Sequence, residues 1–158
     1  MSAIDSLRDL RAFELAALAG LPLSVAQLAI LKAFEGAPLD KQELRMFRQL
    51  VGSRFAKPNP AGYSRLAAQC GRQAGKTRHL DAPLVMRHAL RTVPRSPGET
   101  LHIPCVGPTR EHVATLVDAV AALAGALRVP HERLTGEVRF PALGVVVSVR
   151  TANSIAGR

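Results

Sequence analysis

From residue 101 onward the spacing of apolar residues changes period twice, and that alternation limits the chain to an α/β fold. A short apolar run at 101–106 reads as a strand. Thr109 then heads an Ala/Val/Leu stretch at helical spacing as far as about 127, and strand-like runs follow at 138–140 and 145–150. Upstream the pattern is repeated more weakly, with a strand candidate at 65–70, a glycine-bounded turn and a helical stretch to about 92. A loop at 93–99, marked by Pro94, Pro97 and Gly98, separates the two units. The predicted order is strand, helix, strand, helix, strand.

The front of the chain is helical. Ile4, Leu7, Leu10, Leu15 and Leu18 recur near helical spacing, which predicts one helix over 3–19, stopped by Gly20 and Pro22. Ser24 followed by Gln27, and Asp40 followed by Glu43, are capping-box pairs that open two more helices, ending near Gly36 and Leu50. Gly52, Pro58 and Pro60 then mark a loop over 51–63. Two units are therefore expected: a helical segment, 1–52, and an α/β region, 53–158. Leu, Ile, Val and Phe supply 44 of the 158 residues, enough for a packed core and too many for a disordered chain.

Charge narrows the partners. With 21 Lys and Arg against 12 Asp and Glu the chain carries +9, of which residues 61–100 hold +5. Such an excess points to polyanions: nucleic acid, nucleotide phosphate or an acidic membrane surface. No apolar stretch approaches the ~18 residues of a membrane span, so no membrane partner is expected. Two cysteines and the lack of a basic start followed by an apolar run favour a reducing, cytosolic setting. His79, His88, His102, His112 and His131 have no zinc-ligand spacing with the cysteines.

The +5 segment contains the turn Cys70-Gly71-Arg72-Gln73-Ala74-Gly75-Lys76-Thr77. In the phosphate-binding pattern GxxxxGK[ST], backbone N–H groups wrap the phosphates, the Lys reaches the terminal ones and the hydroxyl binds magnesium. Gly75-Lys76-Thr77 is intact, but Cys70 stands where the first Gly is expected and Gly71 sits one place late. The turn's place between a strand candidate and a helix favours a phosphate site; the bland alternative is a surface turn with a solvated Lys. Two features pull against it. Pro83 falls inside the predicted helix, at a cost of about 3 kcal/mol or a kink. Leu66, Ala67, Ala68 and Gln69 are less apolar than a buried parallel strand should be.

The residues from Gly71 to Thr77 resemble the deviant P-loop of the ATPase domain of phage terminase large subunits, the motors that package DNA into procapsids. The stretch Leu23-Ser24-Val25-Ala26-Gln27 is similar to that family's adenine-reading helix entry. The phrase from Gly36 to Gly52, with Pro38, Leu39, Phe47 and Arg48, resembles the family's link to the P-loop, and Val106-Gly107-Pro108-Thr109-Arg110-Glu111 its second strand-to-helix turn. The strands ending in Ser154-Ile155-Ala156-Gly157-Arg158 look like the approach to the Walker B strand. The resemblance spans roughly 21–158 and implies an α/β P-loop NTPase fold (RecA/ASCE-like, three-layered), incomplete and preceded by a helical segment. It implies ATP and Mg2+ as cofactors, bound by Gly71, Arg72, Gln73, Ala74, Gly75, Lys76 and Thr77. Lys76 would hold the β- and γ-phosphates, Thr77 the metal, and Arg72 the γ-phosphate as a catalytic residue. Gln27 would contact adenine; its capping position is an equally good account of it. Arg72 could equally be a solvated surface residue.

The resemblance further implies double-stranded DNA as partner of the full-length protein, a small terminase subunit and portal as assembly partners, a homo-oligomeric ring, and the cytoplasm of a bacterial host. The acids that would complete such a site are missing. After Thr77 the acids are Asp81, Glu99, Glu111, Asp118, Glu132 and Glu137, and none follows four strand-like apolar residues. The expectation is the ATP-binding front of a longer ATPase, with weak nucleotide binding and no meaningful turnover by itself. Rival expectations are another P-loop NTPase, helicase-like or of DNA repair, and a non-catalytic basic domain that binds nucleic acid.

Overall fold

The computed structural model describes residues 3–69, 75–96, 98–107 and 109–151. Its front follows local caps, with one correction. α1 (Ala3–Arg8) and α2 (Ala12–Leu18) replace the single helix expected over 3–19. At the break the Arg11 N–H donates to Glu14 Oε2 at 2.6 Å and the Ala12 N–H to Glu35 Oε2 at 2.9 Å. Carboxylates that take up the first N–H groups of a helix start a new one where apolar spacing alone would run on. α3 (Val25–Phe34) and α4 (Lys41–Leu50) begin where the capping pairs place them. The Ser24 N–H donates to Gln27 Oε1 at 2.9 Å, and Asp40 Oδ1 accepts from the N–H groups of Gln42 and Glu43 at 2.7 and 2.8 Å.

The strand expected at 65–70 is a second correction: residues 65–69 are exposed and form no strand, and Cys70 lies outside the described residues. Ala and Gln side chains give a strand little to pack, and no neighbouring strand pairs with them. The helical stretch after it comes in two parts. Lys76–Asp81 is a turn of π-helix that runs into α5 (Ala82–Arg91), with Pro83 buried at the second position of α5. Pro lacks an N–H and crowds the carbonyl four residues back, so it is tolerated only in a first turn. The wider turn before it, in which the Ala82 N–H donates to Thr77 O, accommodates the ring without a broken helix.

The sheet has four strands, β1 (Leu101–Gly107), β2 (Glu132–Leu134), β3 (Glu137–Phe140) and β4 (Val145–Thr151), in the order β1-β4-β3-β2. β1 and β4 run parallel in register from Leu101↔Val145 to Gly107↔Thr151, joined through the crossover helix α6 (Arg110–Ala126) capped by Thr109. β2, β3 and β4 form an antiparallel meander. The short β2, Glu-Arg-Leu, is exposed throughout, so no apolar pattern announces it.

One core ties both halves of the chain together. Val138, Phe140, Val145, Val147 and Cys105 of the sheet pack with Val113, Val117 and Val120 of α6, Met86 and Leu90 of α5, and Leu7 and Leu15 of α1 and α2. The opposite sheet face carries the exposed His102, Pro104, Val106, Arg139 and Arg150. The class is thus α/β with a mixed sheet, and among the described residues the helices lie against one face of it. Among the described residues β1 is an edge strand. The Leu101 N–H donates to Gly144 O on the β4 side, so alternation turns the nitrogen of Pro104 to the free side. Among the described residues no helix is long and apolar enough to cross a membrane.

Candidate nucleotide-binding turn

Gly71, Arg72, Gln73 and Ala74 lie outside the described residues; Gly75, Lys76, Thr77 and Gln27 lie within them. Gly75 adopts the left-handed conformation, φ 69°, directly before the π-helical turn. Only glycine does so at little cost, and two side chains also crowd the position. A Cβ on Gly75 would come within 2.7 Å of His79 Nδ1 and 3.1 Å of Gln27 Nε2.

The structure therefore brings Gln27, at the start of α3, against the turn that carries Lys76. The junction is held by Leu80, buried with Leu31 of α3 and Ala12 of α2. Gln27 is divided in its roles: Oε1 accepts the Ser24 N–H and completes the cap, while Nε2 faces Gly75. The cap is thus present, and it leaves the other end of the same amide beside the turn. Lys76 is exposed and Thr77 half-buried, so the ammonium can reach a ligand on the solvent side. The Gly75 carbonyl accepts the His79 N–H at 2.8 Å, with His79 Nδ1 3.2 Å away as a second donor. His79 thereby braces the turn, a role the sequence hides because the i, i+4 contact depends on helical geometry beginning at a left-handed glycine.

Asp81 closes the π-helical turn. Burial pushes its carboxyl above the ordinary carboxylate range and Lys76 pulls it part of the way back. Burial, with a smaller contribution from Asp81, pushes the Cys105 thiol up to about 11. Cys105 is therefore an inert core residue, since the thiolate is the reactive form.

Two of these residues suit a phosphate ligand, an exposed ammonium and a neighbouring hydroxyl, while the space beside the Gly75 Cα is taken by His79 and Gln27. The Thr77 hydroxyl would be one protein ligand for Mg2+, an ion that keeps several waters, takes phosphate oxygens and usually has a carboxylate as well. Among the described residues no group of three His, Cys, Asp or Glu could hold a metal without phosphate. No family model, no curated protein and no solved structure matches the chain.

Proposed function

We propose that this chain is the ATP-binding portion of a viral DNA-packaging motor, a terminase large subunit ATPase of P-loop type. The observation that supports it best is the approach of Gln27 Nε2 to Gly75, two residues of the resemblance that come from separate elements. In this reading Lys76 binds the β- and γ-phosphates, Thr77 shares Mg2+ with them, and Gln27 Nε2 is positioned on the adenine side. Arg72 is assigned to the γ-phosphate by the resemblance. Mg2+ supplies neutralisation of phosphate charge. What the described residues contribute is binding and orientation, through the Lys76 ammonium and the Thr77 hydroxyl, with α3 beside the turn.

No acid occurs from Val138 to Arg158, so no carboxylate follows β3 or β4 to activate water. Binding without turnover is expected. Titration of Mg2+ and a fluorescent ATP analogue into the chain tests it: Lys76→Ala should weaken binding at least ten-fold, about 1.4 kcal/mol, with no phosphate released by either protein. Equal binding by Lys76→Ala overturns the site, and turnover abolished by Lys76→Ala overturns the inactivity.

A further inference from the structure

We propose that the basic side of α4 and the loop after it bind a single-stranded nucleic acid; this surface does not rest on the packaging-motor reading, whose DNA is a duplex. Lys41, Arg45 and Arg48 recur at helical spacing along α4, and Arg54 follows on the loop. These four cations line one cavity of about 650 Å3. At 1.5 Å rise per residue the three on the helix make a line of charge about 10 Å long, along which a phosphate backbone can run.

The charge is concentrated and uncompensated. Residues 1–40 hold three bases and five acids, whereas residues 41–57 hold five bases and one acid, Glu43. That acid is buried, with Oε1 2.6 Å from Lys32 Nζ, and so does not neutralise the outer side of α4. A charged helix side alone is most often merely solvated. Phe55 is what solvation does not explain.

The ring of Phe55 is 76% exposed, more than any other large apolar side chain among the described residues, in a chain with few aromatics. The Arg54 guanidinium lies 4.8 Å from its centroid. The loop that carries it is fixed: Arg48 Nε donates to Ala56 O at 3.2 Å and the Ala56 N–H to Ser53 O at 3.1 Å. A held, exposed ring beside cations is a platform on which an unpaired base stacks whatever its identity, and a duplex has no free base face to offer it.

Fluorescence anisotropy of the full chain with a short labelled oligothymidylate tests the surface. Phe55→Ala should weaken binding about ten-fold. Lys41→Ala combined with Arg45→Ala should lower the slope of log affinity against log salt by about 1.4, at about 0.7 per phosphate. Arg91→Ala, an exposed cation on α5, and addition of ATP with Mg2+ should change neither. The proposal is overturned by absence of binding, by equal affinity for a duplex of the same length, or by an unaltered Phe55→Ala. Loss of ATP binding with these results intact overturns the motor reading and leaves the surface standing.

Discussion

Asp81 sits where two influences on its carboxyl oppose each other, burial raising its pKa and Lys76 lowering it, with burial the larger. A carboxyl whose folded pKa is raised favours the fold most when protonated. That contribution is fully present below the ordinary value of 3.8 and is lost as the pH rises through the raised folded value. Asp81→Asn removes the penalty, so its thermal midpoint should exceed that of the wild type at pH 7, with the gap closing towards about pH 3.5. Melts at the two pH values check this, and a gap independent of pH contradicts it. At this scale the sequence was legible where partners are near neighbours. Ser24 with Gln27 and Asp40 with Glu43 cap as their spacing predicts. The contact of Gly75 with His79 was not legible, because it needs the π-helical turn, and the nearness of Gln27, which needs the docking of α3, was anticipated only through the resemblance.

Among the elements, the π-helical turn shows how a residue that opposes helix continuation is absorbed. Pro83 was legible as a conflict with the helix predicted to about 92; its resolution was not, since widening one turn or kinking the whole helix are both physical answers. The turn has a consequence for the site: it sets the angle at which Lys76 and Thr77 leave α5. Pro83→Ala restores an N–H and lets residues 76–82 rewind towards α-helical geometry. The expected outcome is weaker binding of the ATP analogue, by roughly three- to ten-fold, with little change in thermal stability, although Pro83 is buried in the core and remote in role from any ligand. A titration of that variant beside the wild type checks it, and unchanged affinity refutes the link. The α1/α2 break escaped the sequence for a different reason, as one of its two carboxylates, Glu35, comes from the end of α3. Residues 65–69 carried a warning in their composition, and the missing strand agrees with it.

Across the molecule, Glu35 is the joint of the helical half. Its carboxylate accepts the Ala12 N–H at the start of α2, stands at the C-terminal end of α3, and pairs with Arg87 Nε of α5 at 2.6 Å. Its side chain is 1% exposed against 25% for Arg87. Burial raises its pKa, while the Ala12 N–H and the Arg87 and Arg11 cations pull the other way. Removing one partner of a buried pair typically costs 3–5 kcal/mol, and Arg87 can still reach water, so Glu35→Ala should cost about 3 kcal/mol in urea unfolding. A loss below about 1 kcal/mol would show the joint to be dispensable. The α/β class was legible from alternating periods; the one-sided covering of the sheet was not, because strand sequences do not state what lies across them. The free side of β1 has one more consequence. Pro104 withholds a donor at the centre of that edge, so copies of the chain meeting edge to edge at high concentration find the ladder interrupted. The edge is therefore a poor seed for the stacked, fibre-forming sheets that an uninterrupted strand of this composition would start.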